Sequence, residues 1–166
     1  MRKPIVITGF MGSGKSRVAR ELAQHLNLTM LDLDQVITLR QGKSPAQLIV
    51  ERGEPYFRSI ESTVLRELLQ TNAARIIALG GGAWIEETNR KLIGEYGCVS
   101  VWLDVPFEVC WSRIENSTED RPLGRTRDQA LALYERRRPI YQLASIHAQS
   151  LEDLVFRIKT KVGKSN

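Results

Sequence analysis

The chain has 166 residues, of which 42% are apolar, 26% charged and 7% aromatic, the balance of one globular domain spanning 1–166 and large enough to bury roughly 70% of its unfolded surface without disulfides or a structural metal. No apolar run approaches the ~18 residues of a membrane span, and Met1-Arg2-Lys3-Pro4 runs into a strand-like stretch instead of a leader core, so a cytoplasmic protein with no membrane partner is expected. Lys and Arg outnumber Asp and Glu by 24 to 19, a net +5; with neither zinc-finger spacing nor an aromatic–basic RNA signature, phosphate on a small molecule is a better anionic partner than nucleic acid.

In chain order, Pro4-Ile5-Val6-Ile7-Thr8 predicts a strand, and Val18, Leu22 and Leu26 recur at helical spacing over 15–26. Between them lies Gly9-Phe10-Met11-Gly12-Ser13-Gly14-Lys15-Ser16, a G-x-x-x-x-G-K-[ST] phosphate loop placed where its physics requires, after a strand and opening a helix. Gly12, Ser13 and Gly14 let backbone N–H groups converge on phosphate oxygens, Lys15 reaches the β and γ phosphates, and the Ser16 hydroxyl ligates Mg²⁺. Arg17, next in the helix, joins the expected nucleotide-binding set. A second strand over 29–33 leads into a helix to about residue 41. Period-two geometry turns Asp32 and Asp34 the same way, and paired acids there can hold Mg²⁺ through water or accept a hydroxyl proton; the plainer alternative has Asp34 capping the helix.

Ser44-Pro45 marks a helix start, and Gly53-Glu54-Pro55 opens a longer helix through 69. On it Arg58 and Glu61 fall three apart, either a surface pair or a guanidinium oriented by a carboxylate. The strand over 75–79 stops at Gly80-Gly81-Gly82, whose bare backbone permits close approach of a ligand. A helix over 86–93 precedes a strand over 98–103, and Val99-Ser100-Val101-Trp102-Leu103-Asp104 has the look of a Walker B strand offering Asp104 to a metal. Cys98 and Cys110 lack C-x-x-C spacing and read as buried free thiols. Pro106 opens a helix to about 115, 116–127 reads as a mobile polar loop, and a helix follows over 128–144. An edge strand over 146–149 and a helix over 151–162, with Leu151, Leu154, Val155 and Ile158 on one face, end the pattern. The basic tail residues Arg157, Lys159, Lys161 and Lys164 read as a solvated face. Strands alternating with helices predict an α/β fold with a parallel sheet covered on both sides.

Taken together, the G-x-M-G-x-G-K-S loop, Asp32-x-Asp34, Gly53-Glu54-x-x-Phe57-Arg58-x-x-Glu61, the triple glycine, Arg121-Pro122-Leu123 and Arg137-x-Pro139-x-Tyr141 resemble the shikimate kinases, P-loop kinases related to nucleoside monophosphate kinases, over about residues 5–141. The resemblance implies a three-layer α/β/α sandwich with a five-stranded parallel sheet and a short mobile lid over about 116–127. It implies that Mg²⁺ and ATP phosphorylate the 3-hydroxyl of shikimate, a step toward chorismate and the aromatic amino acids. By that similarity Arg58 and Arg137 grip the substrate carboxylate, Gly80, Gly81 and Gly82 line its pocket, and Asp34 contacts ring hydroxyls and acts as base. Asp32 supports Mg²⁺ through water, Arg121 comes in on the lid to the transferring phosphate, and Arg113 matches an arginine that encloses adenine. The family's strand order leaves Asp104 off the metal.

The chain departs from the family pattern at Gly124, where a second leucine is usual, in a shorter stretch from Arg121 to Arg137, and in an abbreviated connection around 149–151. Looser nucleotide selection is the expected consequence. A kinase of another small hydroxy acid such as gluconate, and a non-catalytic nucleotide- or metabolite-sensing domain of the same fold, are the rival readings; the complete catalytic set favours the kinase, and small size favours a monomer.

Overall fold

The central apolar runs at 5–8, 76–78 and 99–103 become short strands buried on both faces, which is what a parallel sheet sandwiched by helices provides, while the edge runs at 30–32 and 146–148 are partly exposed. The computed structural model describes residues 3–162, so Met1, Arg2 and Lys164 lie outside the described residues. The strands are β1 (Ile5–Thr8), β2 (Met30–Asp32), β3 (Ile76–Ala78), β4 (Val99–Leu103) and β5 (Ile146–Ala148). They form one sheet in the order β2-β3-β1-β4-β5 with every pairing parallel. Ile5 is paired with Ile76 on one side and Val99 on the other.

Among the described residues there are eight helices: α1 (Lys15–Leu26), α2 (Leu33–Gln41), α3 (Pro45–Arg52), α4 (Glu54–Gln70), α5 (Glu87–Glu95), α6 (Phe107–Glu115), α7 (Arg127–Tyr141) and α8 (Leu151–Val162). Alternate strand residues feed two cores. Ile5, Ile7, Ile76, Ala78, Val101 and Leu103 pack with Val18 and Leu22 of α1 and Leu154 of α8. Val6, Ile77 and Trp102 pack on the opposite face with Phe57 and Leu65 of α4, Leu92 of α5 and Tyr141 of α7. The result is the three-layer α/β/α sandwich expected of the sequence.

Local chemistry moves several boundaries. β2 stops at Asp32, not 33, because the Asp32 side chain accepts from Gln35 N–H at 3.2 Å and caps α2. Asp34 therefore sits in the first turn of a helix. The period-two argument that aligned the two acids does not apply, and the capping acid is Asp32, not Asp34. Ser44 and Gln47 form a reciprocal capping box that starts α3; Gly53, at φ +88°, ends it and lets α4 begin at once. α7 starts at Arg127, capped by Thr126, and ends at Tyr141, so the segment between α6 and α7 is 116–126 and residues 142–143 are a turn. Both cysteines are free, but only Cys110 is buried, which pushes its thiol up to about 11; Cys98, expected to be buried too, is half-buried just before β4.

Candidate active site

The carboxyl ends of β1, β2 and β3 and the loops that leave them form a crevice, the usual ligand position of an open parallel sheet. The loop after β1 needs its glycines. Gly12 and Gly14 have φ of +77° and +88°, and a Cβ on Gly12 would stand 2.6 Å from the Cys110 carbonyl oxygen. Gly14 is the N-cap of α1 and no side chain caps that helix, so its first-turn N–H groups and positive dipole end are available to an anion. Arg113 braces the loop from α6 by donating to the Gly12 carbonyl at 3.0 Å.

Lys15 extends back along this loop and donates to the Phe10 carbonyl at 3.0 Å. Burial lowers its pKa to about 8, against the pull of Asp34 and Asp32. The Ser16 hydroxyl donates to Asp32, so two hard oxygen donors stand side by side next to the helix terminus. Thr8 and Ser13 each bury a hydroxyl oxygen with no protein partner nearby. On the far flank Ser13, Arg17, Asp104, Arg113, Gln149 and Ser150 line a cleft of about 580 Å³.

Opposite Lys15 lies an acid–arginine cluster arranged around the triple glycine. Asp34 buries Oδ1 without a partner. Burial first, then Asp32, raise its pKa to about 6 against the opposing effect of Lys15 and Arg58. Glu61 is fully buried; its Oε1 accepts from Arg58 Nη1 at 2.7 Å while Oε2 has no partner. Burial raises Glu61 to about 7 in spite of Arg58. A Cβ on Gly80 would come 2.7 Å from Asp34 Oδ1 and 3.0 Å from Glu61 Oε2, and one on Gly82 would come 2.1 Å from Arg58 Nη2. Gly81 faces Arg137 Nη1, 3.6 Å from where its Cβ would be. The three glycines thus sit flat beneath four charged side chains, and nothing larger than hydrogen fits at the first and third.

Arg137, only 8% exposed, arrives from α7. Tyr141, one turn on, donates to the Gly81 carbonyl at 2.5 Å, and burial pushes its own phenol up to about 12. The lid crosses from α6 to α7 through the turn Arg121-Pro122-Leu123-Gly124, closed by Gly124 N–H to the Arg121 carbonyl at 2.9 Å. A Cβ at Gly124 would stand 2.4 Å from Met11 Cε, so this turn lies directly against a side chain of the loop after β1. Arg121 buries Nε without a partner, pairs with Glu119 at 2.9 Å, and is close enough to Lys15 to lower its pKa.

Sequence reasoning named most of this cluster and missed its supports. Glu54 donates nothing but accepts from Arg58 Nε and Nη2, a pair legible as i,i+4 spacing. Asn89 donates to the Ala83 carbonyl at 2.9 Å, and Arg90 to those of Trp84 and Ile85 at 2.7 and 2.6 Å, fixing the loop after the glycines; a polar residue on a buried helix face gave no pattern to find them by. Asp104 does not join the Ser16–Asp32 pair: it turns to Arg138 Nη2 at 3.6 Å.

The shikimate kinase family model matches residues 11–157. The shikimate kinase of Cereibacter sphaeroides is 38% identical over 165 residues, covering 98% of this chain and 81% of that protein. The solved shikimate kinase of Acinetobacter baumannii in complex with shikimate superposes with a TM-score of 0.84 at 28% identity, over 98% of this chain and 94% of that one. A gluconokinase from Sinorhizobium meliloti, at 17% identity and a TM-score of 0.63, shares the fold alone. A family match from the phosphate loop to the last helix, with close relatives along nearly the whole length, places this chain in the shikimate kinase family.

Proposed function

We propose that the chain transfers the γ-phosphoryl group of ATP to the 3-hydroxyl of shikimate, on the route to chorismate, working as a single-domain monomer in the cytoplasm with no nucleic-acid or membrane partner. The observation that carries this reading is the polarity of the crevice: a phosphate loop with Lys15 on one side, and on the other a buried Arg137 and a mostly buried Arg58 set beside a glycine floor and an unpartnered carboxylate oxygen. Arg58 and Arg137 receive the substrate carboxylate, for which planar guanidinium forks are suited. Gly80, Gly81 and Gly82 line the pocket: Gly80 and Gly82 leave room for Asp34, Glu61 and Arg58 to lie against backbone, and Gly81 is the open position where the ring can approach it. Asp34 then takes the hydroxyl proton while the new O–P bond forms and the bridging P–O bond of ATP breaks to leave ADP.

A loose phosphoryl-transfer transition state needs positioning and positive charge more than covalent help. Lys15, the N–H groups of Gly12, Ser13 and Gly14, and Arg121 from the lid supply that charge, while Arg17 and Arg113 line the cleft that takes the rest of the nucleotide. Mg²⁺ keeps most of its water and needs few protein oxygens, so Ser16 directly and Asp32 through water are a fitting pair to hold it. When bound it neutralises charge on the β and γ phosphates. No helix among the described residues is long and apolar enough to cross a membrane.

The deciding assay is ADP release with Mg-ATP plus shikimate, gluconate or no acceptor. Turnover with shikimate alone supports the reading; turnover with gluconate alone, or with neither, replaces it by one of the rivals. Arg58→Ala and Arg137→Ala are each expected to weaken shikimate binding by roughly 10- to 100-fold, the loss of a charge-assisted contact of about 1.5–3 kcal/mol, with nucleotide affinity little changed in the same titrations. Gly82→Ala is expected to have a similar effect without removing a charge, because its methyl would take the place of the Arg58 guanidinium. Unchanged shikimate affinity in that variant would mean that Arg58 reaches the substrate from elsewhere.

A further inference from the structure

Arg58 is held by two carboxylates of very different character. Glu61 is fully buried and accepts from Nη1 at 2.7 Å. Glu54 offers a single oxygen to both Nε, at 3.2 Å, and Nη2, at 3.1 Å, and its side chain is 41% exposed. One short bond from a carboxylate that cannot leave is a permanent brace. Two long bonds shared on one oxygen of a half-exposed side chain are an exchangeable contact, since strong arginine–carboxylate pairing uses two oxygens in parallel.

Charge and position support exchange. With Glu54, Glu61 and Asp34 ionised, three negative charges already face Arg58 and Arg137, so an incoming carboxylate adds a fourth to a mostly buried cluster unless one of them leaves. Glu54 is the first residue of α4, which has no side-chain cap, and a carboxylate released there still offsets the positive helix end. It can turn to water at little loss, whereas Glu61 cannot.

We propose that Glu54 is a resident carboxylate that occupies the Nε–Nη2 edge of Arg58 until an acid substrate displaces it, so that Glu54 sets how strongly the site discriminates a carboxylate from a neutral acceptor. This rests on the assignment of Arg58 to the substrate carboxylate. The contact keeps the guanidinium aligned in the empty site and is replaced, oxygen for oxygen, on binding. Its cost is part of the binding affinity, and removing it strengthens acid binding.

The test is calorimetric titration of shikimate and of its methyl ester into the full chain and into Glu54→Gln, Glu54→Asp, Arg58→Ala and the Glu54→Gln/Arg58→Ala double variant, with thermal unfolding of each to confirm the fold. Shikimate is expected to bind roughly two- to fivefold tighter to Glu54→Gln, the scale of a half-exposed ion pair. Glu54→Asp, which keeps the charge but is one methylene too short to hold the arginine, is expected to tighten binding as well. The ester gains nothing, and the gain for the acid vanishes in the double variant. Weaker or unchanged acid binding in Glu54→Gln makes Glu54 a brace and overturns the proposal; so does tightening confined to Glu54→Gln, which a simple change of field explains, or an equal gain for the ester. If Arg58→Ala binds shikimate normally, the carboxylate assignment falls and takes this inference with it. If Arg58→Ala is weakened but Glu54→Gln does not tighten, exchange alone fails.

Discussion

Lys15→Ala is expected to abolish phosphoryl transfer, a loss of at least about 10²- to 10³-fold in turnover, as follows removal of a preorganised donor at developing charge. The ammonium stands at the Phe10 carbonyl in the phosphate loop, and burial lowers its pKa to about 8. It is a charge kept in an unfavourable place for a ligand that will neutralise it. Two measurements separate function from folding. Lys15 carries its full charge in both folded and unfolded states below pH 8, so the folded state bears the burial penalty there; between about 8 and the ordinary 10.5 the folded state releases the proton first and stability rises with pH. Removing the side chain therefore leaves the unfolding temperature at neutral pH unchanged or higher while activity disappears. In the wild-type chain, nucleotide affinity is expected to decline as pH rises above about 8, since the charged form is the one that binds phosphate. Retention of more than about a tenth of the wild-type rate in Lys15→Ala would overturn the phosphate-loop assignment, which requires an electrostatic loss far larger than that.

What could be read before the fold was known depended on how local the cause was. The phosphate loop is a contiguous segment whose glycines, helix N-terminus and lysine are fixed by neighbours in sequence, and the structure places it as expected. The triple glycine was legible as an unusual local demand, but its reason is tertiary: Asp34 from α2 and Arg58 and Glu61 from α4 close over Gly80 and Gly82. The period-two geometry drawn for Asp32 and Asp34 fails, since a capping bond to Gln35 turns strand into helix between them. Asp104 is the case where local pattern and family order pull apart, and the structure follows the family order, with Asp104 off the Ser16–Asp32 pair. Its strand pattern is right for a metal-binding acid, and only the position of Arg138 on a distant helix explains where the carboxylate goes. Gly124 departs from the family's usual leucine, and the nearness of Met11 to it follows only from the tertiary placement of the 121–124 turn beside the loop after β1.

Asp34→Asn preserves shape and a hydrogen-bonding oxygen while removing the negative charge, so it is expected to lower the rate constant by about 10²- to 10⁴-fold, the usual worth of general-base assistance, with a small change in shikimate dissociation constant. In the wild-type chain burial and Asp32 raise the Asp34 pKa to about 6, so the base is ionised at neutral pH and activity falls as pH drops through 6. Stability runs the other way. The folded state holds this proton more tightly than the unfolded chain, whose carboxyl titrates near 3.8, so stability is highest below that value and falls as pH rises toward 6. Above 6 the wild-type chain carries the whole penalty of a buried charge, and Asp34→Asn does not. The variant should consequently unfold at a higher temperature than wild type at pH 8, with the difference closing near pH 4, even as it loses turnover. Asp32→Asn separates the two acids: if Asp32 holds Mg²⁺ through water, raised Mg²⁺ partly restores its activity, whereas Asp34→Asn stays inactive at any Mg²⁺ concentration. Rescue of Asp34→Asn by the metal, or near-normal turnover without it, would move the base elsewhere in the crevice, and Glu61, whose free Oε2 lies across Gly80 from Asp34, is the carboxylate positioned to take its place.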